Sequence, residues 1–330
     1  MTRAIVLLSG GLDSCLAVRV LQEQGIEVVA VNFQTPFCQD GGTGASCGSA
    51  TRVADALGLP LRVLYLGEEF LKIVEHPPHG HGRNMNPCID CRILMLRRAG
   101  ELMEAVGAKF VATGEVLGQR PMSQHLTAMK EVEKESGLTG LVLRPLCAKL
   151  LDPTKPEQEG WVDRERLLSL SGRTRKEQFR MAKEAGLSYT PSPAGGCLLT
   201  DPAYSKRLKD FLAHGGILSA HSATLLRQGR YFRLSDSALL MVGRNKAEND
   251  QLEGLQDESE TIWRQVDCLG PVAVGQGDFS GELAGKAAGL VAKYTDPPAG
   301  GVVTLEARKG RKGEPRRMEV RITVSAGVSA

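Results

Sequence analysis

Apolar residues in the first third of the chain follow two alternating patterns. Short uninterrupted apolar runs are typical of strands buried on both faces, whereas longer segments with apolar residues at helical spacing indicate helices. The runs lie at 4–8, 28–33, 61–66 and 110–112. The helical segments are 14–24, 51–57 and 92–106, each followed by a glycine that can end a helix. This alternation predicts an α/β fold with a parallel sheet, which binds its ligands at the carboxyl ends of the strands.

The pattern changes after about residue 205. Segments 302–307 and 318–324 alternate apolar and polar residues, as strands with one exposed face do, and a basic turn separates them. We therefore expect a small α+β domain over 205–330, after a catalytic domain over 1–204. Three stretches rich in glycine or proline interrupt the first domain, and long irregular loops of this kind tend to be functional. These stretches are 36–48, 76–82 and 191–202.

Composition narrows the class of protein. No apolar run approaches the roughly 20 residues that cross a bilayer, and the N-terminal run ends at Ser9, where the core of a signal peptide would continue. We expect a cytoplasmic protein with no membrane partner, in which the eight cysteines are thiols or metal ligands rather than disulfides. The formal net charge of +3 does not by itself indicate a nucleic-acid partner.

Residues 9–14 read Ser-Gly-Gly-Leu-Asp-Ser and join a predicted buried strand to a predicted helix. Gly10 and Gly11 would let the backbone approach a phosphate closely, and Ser9 and Ser14 can donate hydroxyl hydrogen bonds to it. Asp13 would repel bare pyrophosphate, so a bridging Mg²⁺ ion is its natural partner. No Walker lysine is present, which excludes a kinase-type or GTPase-type loop. An ordinary turn capped by Ser14 would explain a bare Gly-Gly pair, but the full string is more specific.

The string resembles the signature of the PP-loop ATP pyrophosphatases, and this resemblance implies an adenine-nucleotide alpha-hydrolase-like (HUP) domain that binds ATP and releases pyrophosphate. Later segments, Thr-Gly-Glu at 113–115, Gly-Gln at 118–119 and Arg-Pro-Leu at 144–146, resemble tRNA 4-thiouridine synthases in order and spacing. The resemblance covers roughly residues 1–200 and implies that Gly114, Glu115 and Gln119 line the nucleotide pocket. Those enzymes usually carry an N-terminal RNA-binding module, and many bacterial members end in a rhodanese domain. We find neither in this sequence. RNA recognition and sulfur delivery are therefore expected to differ.

Cys88 and Cys91 form a Cys-x2-Cys pair just ahead of a predicted helix, and Cys197 follows two glycines near the end of the first domain. The pair can bind one metal ion or cluster, aided by the helix N-terminus. Two close cysteines and a distant third resemble the pattern of iron–sulfur-dependent tRNA thiolases. The resemblance implies that these three cysteines hold a 4Fe–4S cluster, with the fourth iron open to an added sulfide.

Other interpretations of the cysteines stay open. Cys88 and Cys91 could bind structural Zn²⁺ with further ligands from Cys38, Cys47, His79 or His81. Cys197 could instead carry a persulfide, with one of the pair as the resolving thiol, or all three could simply be buried. Cys15 and Cys147 are expected in the core, because they lie on the first helix and after the Arg-Pro-Leu segment.

Two basic segments could contact RNA phosphates, one over 173–183 and one in the turn over 308–317, which contains Arg316 and Arg317. Either one alone is better explained as a solvated charged face. Residues 229–249, with a Gly-Arg-Asn-x-x-x-Asn core, resemble the RNA-binding domain of the NFACT ribosome-quality-control proteins. That resemblance implies RNA contacts from Arg244, Asn245 and Lys246.

Together these features favour an ATP-dependent tRNA sulfurtransferase that adenylates a uridine carbonyl and replaces its oxygen by sulfur. Asp13, Cys88, Cys91 and Cys197 would be catalytic, and the partners would be tRNA and a sulfur donor such as a cysteine desulfurase or free sulfide. Two other functions compete with it. One is a PP-loop ligase that acts on a small molecule and carries structural zinc, and the other is a non-catalytic RNA-binding adaptor with a relic nucleotide loop.

Overall fold

Strands and helices alternate over the first part of the chain in the computed structural model. The structure describes residues 1–38, 45–186, 196–296 and 300–322, and it describes only the backbone at 45–48. The chain divides into two units, Met1–Ser205 and Lys206–Ala330. None of the helices in the described ranges is both long enough and apolar enough to cross a membrane.

The first unit contains five strands and most of the helices. Its strands are β1 (Arg3–Leu7), β2 (Glu27–Gln34), β3 (Leu61–Tyr65), β4 (Phe110–Thr113) and β5 (Val142–Leu143). Its helices are α1 (Leu12–Gln22), α2 (Ala45–Ala56), α3 (Glu68–Glu75), α4 (Cys88–Val106), α5 (Leu126–Glu135), α6 (Lys155–Gln158) and α7 (Lys176–Glu184). Helix α8 (Pro202–Ala213) begins in this unit and continues into the next.

The five strands form one parallel sheet in the order β3-β2-β1-β4-β5. The predicted α/β fold with a parallel sheet is therefore confirmed. β1 lies at the centre, where Ile5 pairs with Val29 on one side and with Val111 on the other. The strand order reverses direction between β1 and β4, and ligands of open parallel sheets bind outside the carboxyl ends of the strands at such a point.

Both faces of the central strands are buried, as the continuous apolar runs predicted. Ala4 and Val6 share one buried cluster with the apolar side of α1, which includes Leu16. Ile5 and Leu7 point to the other face and share a cluster with the apolar side of α4. Alternate residues of β1 thus hold a helix on each side of the sheet, and this packing fixes the two helix N-termini that begin at the carboxyl edge.

The second unit is built on a six-stranded antiparallel sheet in the order β11-β10-β8-β9-β7-β6. Its strands are β6 (Arg230–Ser235), β7 (Ala238–Val242), β8 (Thr261–Gln265), β9 (Ala273–Gln276), β10 (Val302–Lys309) and β11 (Arg316–Arg321). Its further helices are α9 (Ala220–Leu225), α10 (Lys246–Leu255) and α11 (Gly281–Lys293). Trp263 on β8 is fully buried and meets the ring of Phe279 edge to face at 4.5 Å. The expected α+β character of this part is also confirmed.

Replacing Leu16 by Ala should lower the free energy of unfolding of the first unit by about 2–5 kcal/mol, because the side chain is almost fully buried and its removal leaves a cavity. Urea denaturation followed by circular dichroism measures the change. Leu126→Ala is the matched control, since that leucine also lies on a helix but is 45% exposed; it should cost less than about 1 kcal/mol. Equal losses in the two variants would contradict the packing described above.

Candidate functional site

The loop between β1 and α1 turns sharply at the carboxyl edge of the sheet. Gly10 has a φ of +75°, and a Cβ there would lie 2.5 Å from Ser49 Oγ and 2.7 Å from Ala50 N. Only glycine fits such a position. Asn32 on β2 donates a hydrogen bond from Nδ2 to the carbonyl of Leu8 at 2.8 Å, which anchors the start of the loop. The loop therefore has one backbone path, and this path directs the N-terminus of α1 outward.

Hydroxyl groups at both ends of this loop hold its shape. The Gly11 N–H donates to Ser9 Oγ at 3.3 Å, and Ser14 Oγ donates to the carbonyl of Gly11 at 2.8 Å. The two hydroxyl oxygens lie 3.3 Å apart. Ser9, Gly11 and Ser14 thus surround one small region at a helix N-terminus, where backbone N–H groups favour an anion.

Asp13 in the first turn of α1 is only partly satisfied by the protein. Its Oδ2 accepts a hydrogen bond from Gln119 Nε2 at 2.7 Å and lies 3.5 Å from Arg175 Nη2. Its Oδ1 is buried and has no hydrogen-bond partner. A buried acceptor without a partner costs free energy, so a bound cation or ligand donor would stabilise this carboxylate.

The loop after β4 packs directly on the start of α1. A Cβ at Gly114 would lie 2.6 Å from the carbonyl of Asp13 and from Ser14 N, so the two backbones meet at a distance that only glycine allows. Gln119 on the same loop reaches Asp13, and Gln178 of α7 donates to its Oε1 at 3.2 Å. The structure therefore brings together the two segments that the sequence predicted to line a nucleotide pocket.

Glu115 is buried in a network of ion pairs. Its Oε2 accepts hydrogen bonds from Arg144 Nε and Thr113 Oγ1, both at 3.1 Å, and its Oε1 lies 3.4 Å from Arg92 Nε. Burial by itself raises the pKa of a carboxyl, but the two guanidinium groups outweigh that effect and hold the pKa of Glu115 below its usual value. Both oxygens are thus engaged within the protein, and the direct nucleotide contact expected for Glu115 stays a prediction.

Hydrogen bonds between three loops bring distant cysteines together. Asn84 Nδ2 donates to the carbonyl of Thr200 at 2.7 Å, and the Met85 N–H donates to the carbonyl of Leu199 at 3.1 Å. The Leu198 N–H donates to the carbonyl of Phe37 at 2.8 Å. These bonds join the loop ahead of α4 to the segment that follows Cys197, and that segment to the end of β2.

The charges of four cysteines interact at this junction. Burial raises the pKa of the Cys91 thiol above its usual range; Cys197, Cys88 and Cys38 raise it further, against the effect of Arg92. Burial also raises the pKa of Cys197 to about 12, with smaller contributions from Cys38 and Cys88. Backbone contacts join the segments that carry Cys38 and Cys197 to the loop ahead of Cys88 and Cys91, and the convergence of the three selected sulfurs on one cluster stays a prediction. As protonated thiols Cys91 and Cys197 are inert, and metal binding is what would convert them to thiolates.

Arg120 links the cysteines to the nucleotide loop. Burial and the positive charges of Arg92 and Arg175 lower its pKa, while the negative charges of Cys88 and Asp13 raise it. One guanidinium thus lies within electrostatic reach of both the cysteine site and the PP-loop carboxylate. The sequence pattern does not assign Arg120 or Arg175 to this site, because their proximity depends on long-range folding. The same pattern places Arg175 in a possible RNA surface over 173–183.

The histidines of the proline-rich loop lie in a different environment. His79 Nδ1 is 2.7 Å from Asp90 Oδ1, and its Nε2 is 3.1 Å from Glu135 Oε1. His81 Nε2 is 2.8 Å from the carbonyl of Val74. The alternative in which these histidines complete a zinc site with the cysteines is therefore not supported, and the side chain of Cys47 lies outside the described residues. His79 instead groups with Glu131 and Glu135, and His221 groups with Asp257 and Glu260. In each group the possible ligand atoms lie within 4.8 Å of one another.

Cys15 and Cys147 are buried, as expected for core residues. Burial raises the pKa of each thiol to about 11, so both are protonated at neutral pH. Neither position provides a reactive thiolate.

The Gly-Arg-Asn-x-x-x-Asn segment of the second unit builds the junction between β7 and α10. Gly243 packs against Asn249, whose Oδ1 accepts from the Val272 N–H at 3.1 Å. Asn245 caps α10, since its Oδ1 accepts from the Glu248 N–H at 3.0 Å. The geometry of this junction thus accounts for the glycine at 243 and for the asparagines at 245 and 249. The RNA contact expected for Asn245 stays a prediction, but its side-chain oxygen already serves the cap.

The basic side chains of the second unit are more accessible. Arg244 and Lys246 are exposed, although Arg244 pairs with Glu248. Arg316 and Arg317 are exposed on β11, and Arg317 Nε lies 3.7 Å from Glu306. A cleft of about 450 Å³ nearby in the sheet is lined in part by Arg264, Arg308 and Arg311.

The other basic segment, over 173–183, divides between two roles. Arg180 on α7 is exposed and pairs with Glu177 and Glu184. It therefore belongs to a solvated charged face, as the simpler interpretation of this run proposed. Arg175 turns toward Asp13 instead.

Comparison with known sequences identifies two matching families. Residues 1–150 match the sequence model of the thiamine biosynthesis protein ThiI, and residues 229–326 match that of the NFACT protein RNA-binding domain. Both resemblances that the motifs indicated are confirmed.

Curated relatives match part of the chain. The tRNA-specific 2-thiouridylase MnmA 2 of Caldanaerobacter subterraneus subsp. tengcongensis is 29% identical over 231 residues, which cover 63% of this chain and 58% of the relative. The tRNA-specific 2-thiouridylase MnmA of Syntrophotalea carbinolica is 38% identical over 117 residues, 33% of each chain. The chain thus spans less than two thirds of the length of these relatives.

Among solved structures, a 4-thiouridine synthetase in complex with RNA and bound ATP is 26% identical, with a TM-score of 0.40, and the match covers 56% of this chain and 41% of that one. A predicted subunit of tRNA methyltransferase from Methanocaldococcus jannaschii is 17% identical, with a TM-score of 0.34, and covers 56% and 76%.

His79 provides a pH-dependent test of the loop that holds the Cys-x2-Cys turn. Its hydrogen bond with Asp90, between the two cysteines, raises the pKa of His79 against the effect of burial. Because the pKa of His79 is higher in the folded than in the unfolded protein, protonated His79 stabilises the fold fully at pH values below its unfolded pKa. This contribution is lost as the pH rises through its folded pKa. His79→Gln should therefore lower the free energy of unfolding by about 1.5–3 kcal/mol at pH 5.5 and by less at pH 9. Urea titrations at both pH values measure the loss of stability, and His76→Gln at an exposed position is the control. An equal loss at the two pH values would contradict the assigned role of His79.

Proposed function

We propose that this chain, which joins a ThiI-type PP-loop domain to an NFACT-type domain, is an ATP-dependent tRNA sulfurtransferase. The observation that carries the proposal is the proximity of two chemical groups at one edge of the sheet. Asp13 offers an unpartnered carboxylate oxygen at a helix N-terminus. Arg120 lies within electrostatic reach of Asp13 and also of Cys88 and Cys197. A nucleotide loop and a thiol site that share one cation fit a reaction in which ATP activates a carbon for attack by sulfur.

In the proposed reaction a uracil carbonyl oxygen attacks the α-phosphate of ATP and pyrophosphate leaves. The adenylated carbon then has a good leaving group, because AMP departs with the former carbonyl oxygen when sulfur attacks. Asp13 would hold Mg²⁺ on the phosphates, and Ser9, Ser14 and the N–H groups of Gly10 and Gly11 would donate hydrogen bonds to them. Water must be kept out, since hydrolysis of the adenylate would only restore the uridine.

The positive charges around Asp13 support this assignment. Burial lowers the pKa of Arg120, and the positive charges of Arg92 and Arg175 lower it further. Like charges at close range are costly unless an anion compensates them. Nucleotide phosphates would supply that anion, and Arg120 would then bind charge that develops between the α-phosphate and the incoming sulfur.

Cys88, Cys91 and Cys197 would hold a 4Fe–4S cluster, and their environment fits such a group. Burial raises the pKa values of Cys91 and Cys197, so these thiols need a metal to become thiolates. Within the described part of the chain, no three cysteine sulfurs lie within 4.8 Å of one another, whereas one tetrahedral zinc with Zn–S bonds of about 2.3 Å needs sulfurs closer than that. When bound, the cluster would offer an iron site to hydrosulfide, as three-cysteine ligation allows.

The second unit would supply affinity for tRNA. Arg244, Lys246, Arg316 and Arg317 are exposed and can contact phosphates, which gives salt-dependent binding without base specificity. The target uridine would have to leave its stack to reach the site, which is how proteins commonly read single bases in RNA. The sulfur donor would be free sulfide, or a cysteine desulfurase whose persulfide releases its outer sulfur as sulfide when an external thiol reduces it by two electrons.

Replacing Asp13 by Asn should reduce tRNA-dependent pyrophosphate release and thiouridine formation by at least about 100-fold, because the Mg²⁺ contact stabilises the charged transition state. Anaerobic assays with ATP, sulfide and tRNA, followed by mass spectrometry of nucleosides, measure both products. Asp55→Asn, an exposed aspartate on α2, is the control and should keep wild-type turnover. Turnover by Asp13→Asn at the control rate would remove Asp13 from the site.

Replacing Arg316 and Arg317 together by Ala should weaken tRNA binding and make the slope of log K against log salt concentration shallower by about 1.4–1.8. The reason is that fewer counterions are released from the RNA when two phosphate contacts are lost. Filter binding over a range of salt concentrations measures the slope. Lys286→Ala with Lys293→Ala removes the same charge from exposed positions on α11 and is the matched control. If both double variants behave alike, β11 is a solvated charged face and not an RNA surface.

A further inference from the structure

Cys38, just beyond β2, lies beside Cys197 through a backbone contact. The two residues form an isolated antiparallel bridge, flanked by the hydrogen bond from the Leu198 N–H to the carbonyl of Phe37. Because this bond flanks the pair, Cys38 and Cys197 form a non-hydrogen-bonded pair, in which Cα atoms are about 4.5 Å apart and the side chains are closest. The side chains of Cys38 and Cys197 therefore leave the backbone close together.

Aromatic packing fixes the backbone at Cys38. The preceding residue, Phe37, is fully buried, and its ring meets Phe70 at 5.9 Å and Tyr204 at 6.1 Å, both edge to face. Phe37 also accepts the hydrogen bond that flanks the bridge. The position of Cys38 is thus set by the folded core of the first unit.

The loop that leads to Cys88 and Cys91 is bonded to the same junction. The Met85 N–H donates to the carbonyl of Leu199, and Asn84 Nδ2 donates to the carbonyl of Thr200. Cys38, Cys197 and the start of α4 thus belong to one set of hydrogen-bonded loops.

We propose that Cys38 is the fourth thiol ligand of the sulfur site, at the metal position that Cys88, Cys91 and Cys197 leave open. This inference rests on the proposed sulfur site and assigns to it a residue that the sequence pattern did not select. Four thiolates complete the coordination of a 4Fe–4S cluster. A resting site closed in this way would protect the exposed iron from oxidation until substrate arrives.

Thr35 holds the Cys38 sulfur by hydrogen bonds. The Thr35 N–H donates to Cys38 Sγ at 3.3 Å, and Thr35 Oγ1 lies 3.7 Å from the same sulfur. Cys88 and Cys91 belong to the first turn of α4, where Cys88 Sγ accepts from Asn86 Nδ2 at 2.8 Å. Cys38 lies outside the helices, and its bond to Thr35 would replace its bond to iron when hydrosulfide binds there. In the exchange the Cys38 thiolate leaves with its electron pair and hydrosulfide brings its own, so no oxidant or reductant is needed.

The test compares reconstituted wild-type protein with Cys38→Ala and Cys38→Ser under anaerobic conditions. Iron and sulfide are counted, and electron paramagnetic resonance is recorded after mild oxidation with ferricyanide. Wild-type protein should keep its four irons, whereas both variants should bind the cluster but lose the uncovered iron and give an at least about fivefold stronger 3Fe–4S signal. Cys268→Ala in the second unit is the control and should behave as wild type.

The outcomes separate this inference from the proposed cluster. Equal 3Fe–4S signals in wild-type protein and the Cys38 variants would overturn the role of Cys38 while the cluster stands. A stronger 3Fe–4S signal in wild-type protein than in the variants would overturn it in the same way. If no iron binds, the same proteins are titrated with Co²⁺, whose thiolate charge-transfer absorption should fall by about one quarter without Cys38. That result would reject the cluster and keep Cys38 as a ligand. Unchanged absorption, or no metal binding by wild-type protein, would overturn Cys38 as well.

Discussion

The close approach of Gly114 to the start of α1 is the constraint on which the site depends. A side chain at Gly114 would collide with the backbone of Asp13 and Ser14, so the loop after β4 can lie on the nucleotide loop only because this residue is glycine. From there the contacts continue outward. Gln119 reaches Asp13, and Glu115 binds Arg92 on α4, next to Cys91. The edge between β1 and β4 thus sets the position of the cysteine pair.

The cysteine site depends equally on backbone hydrogen bonds between loops that are distant in sequence. Bonds from 84–85 to 199–200 hold the segment after Cys197 against the loop ahead of α4, and the bond from Leu198 to Phe37 adds the backbone beside Cys38. Burial then keeps Cys91 and Cys197 protonated. A site assembled in this way is prepared for a metal by the fold, and Arg120 connects it to the carboxylate that would hold ATP and Mg²⁺.

The sequence predicted the features that depend on local pattern. Buried runs gave the parallel strands, and the string over 9–14 gave the loop at Gly10 and Asp13. It did not predict Arg120, Arg175 or the place of Cys38, because their positions follow from the packing of loops far apart along the chain. It also assigned to RNA the asparagine at 245, whose side chain caps α10. A polar residue in a turn looks the same in sequence whether it binds a ligand or ends a helix.

The most direct test of the account follows the uridine carbonyl oxygen. Two tRNA transcripts would carry ¹⁸O in uridine, one at C2 and one at C4, and each would be incubated anaerobically with the reconstituted protein, ATP and sulfide. Adenylation predicts that the label of one transcript appears in the phosphate of AMP, as a mass increase of about 2 Da, in step with thiouridine, since the AMP leaving group keeps that oxygen. Thiouridine formation with unlabelled AMP from both transcripts would contradict the central claim.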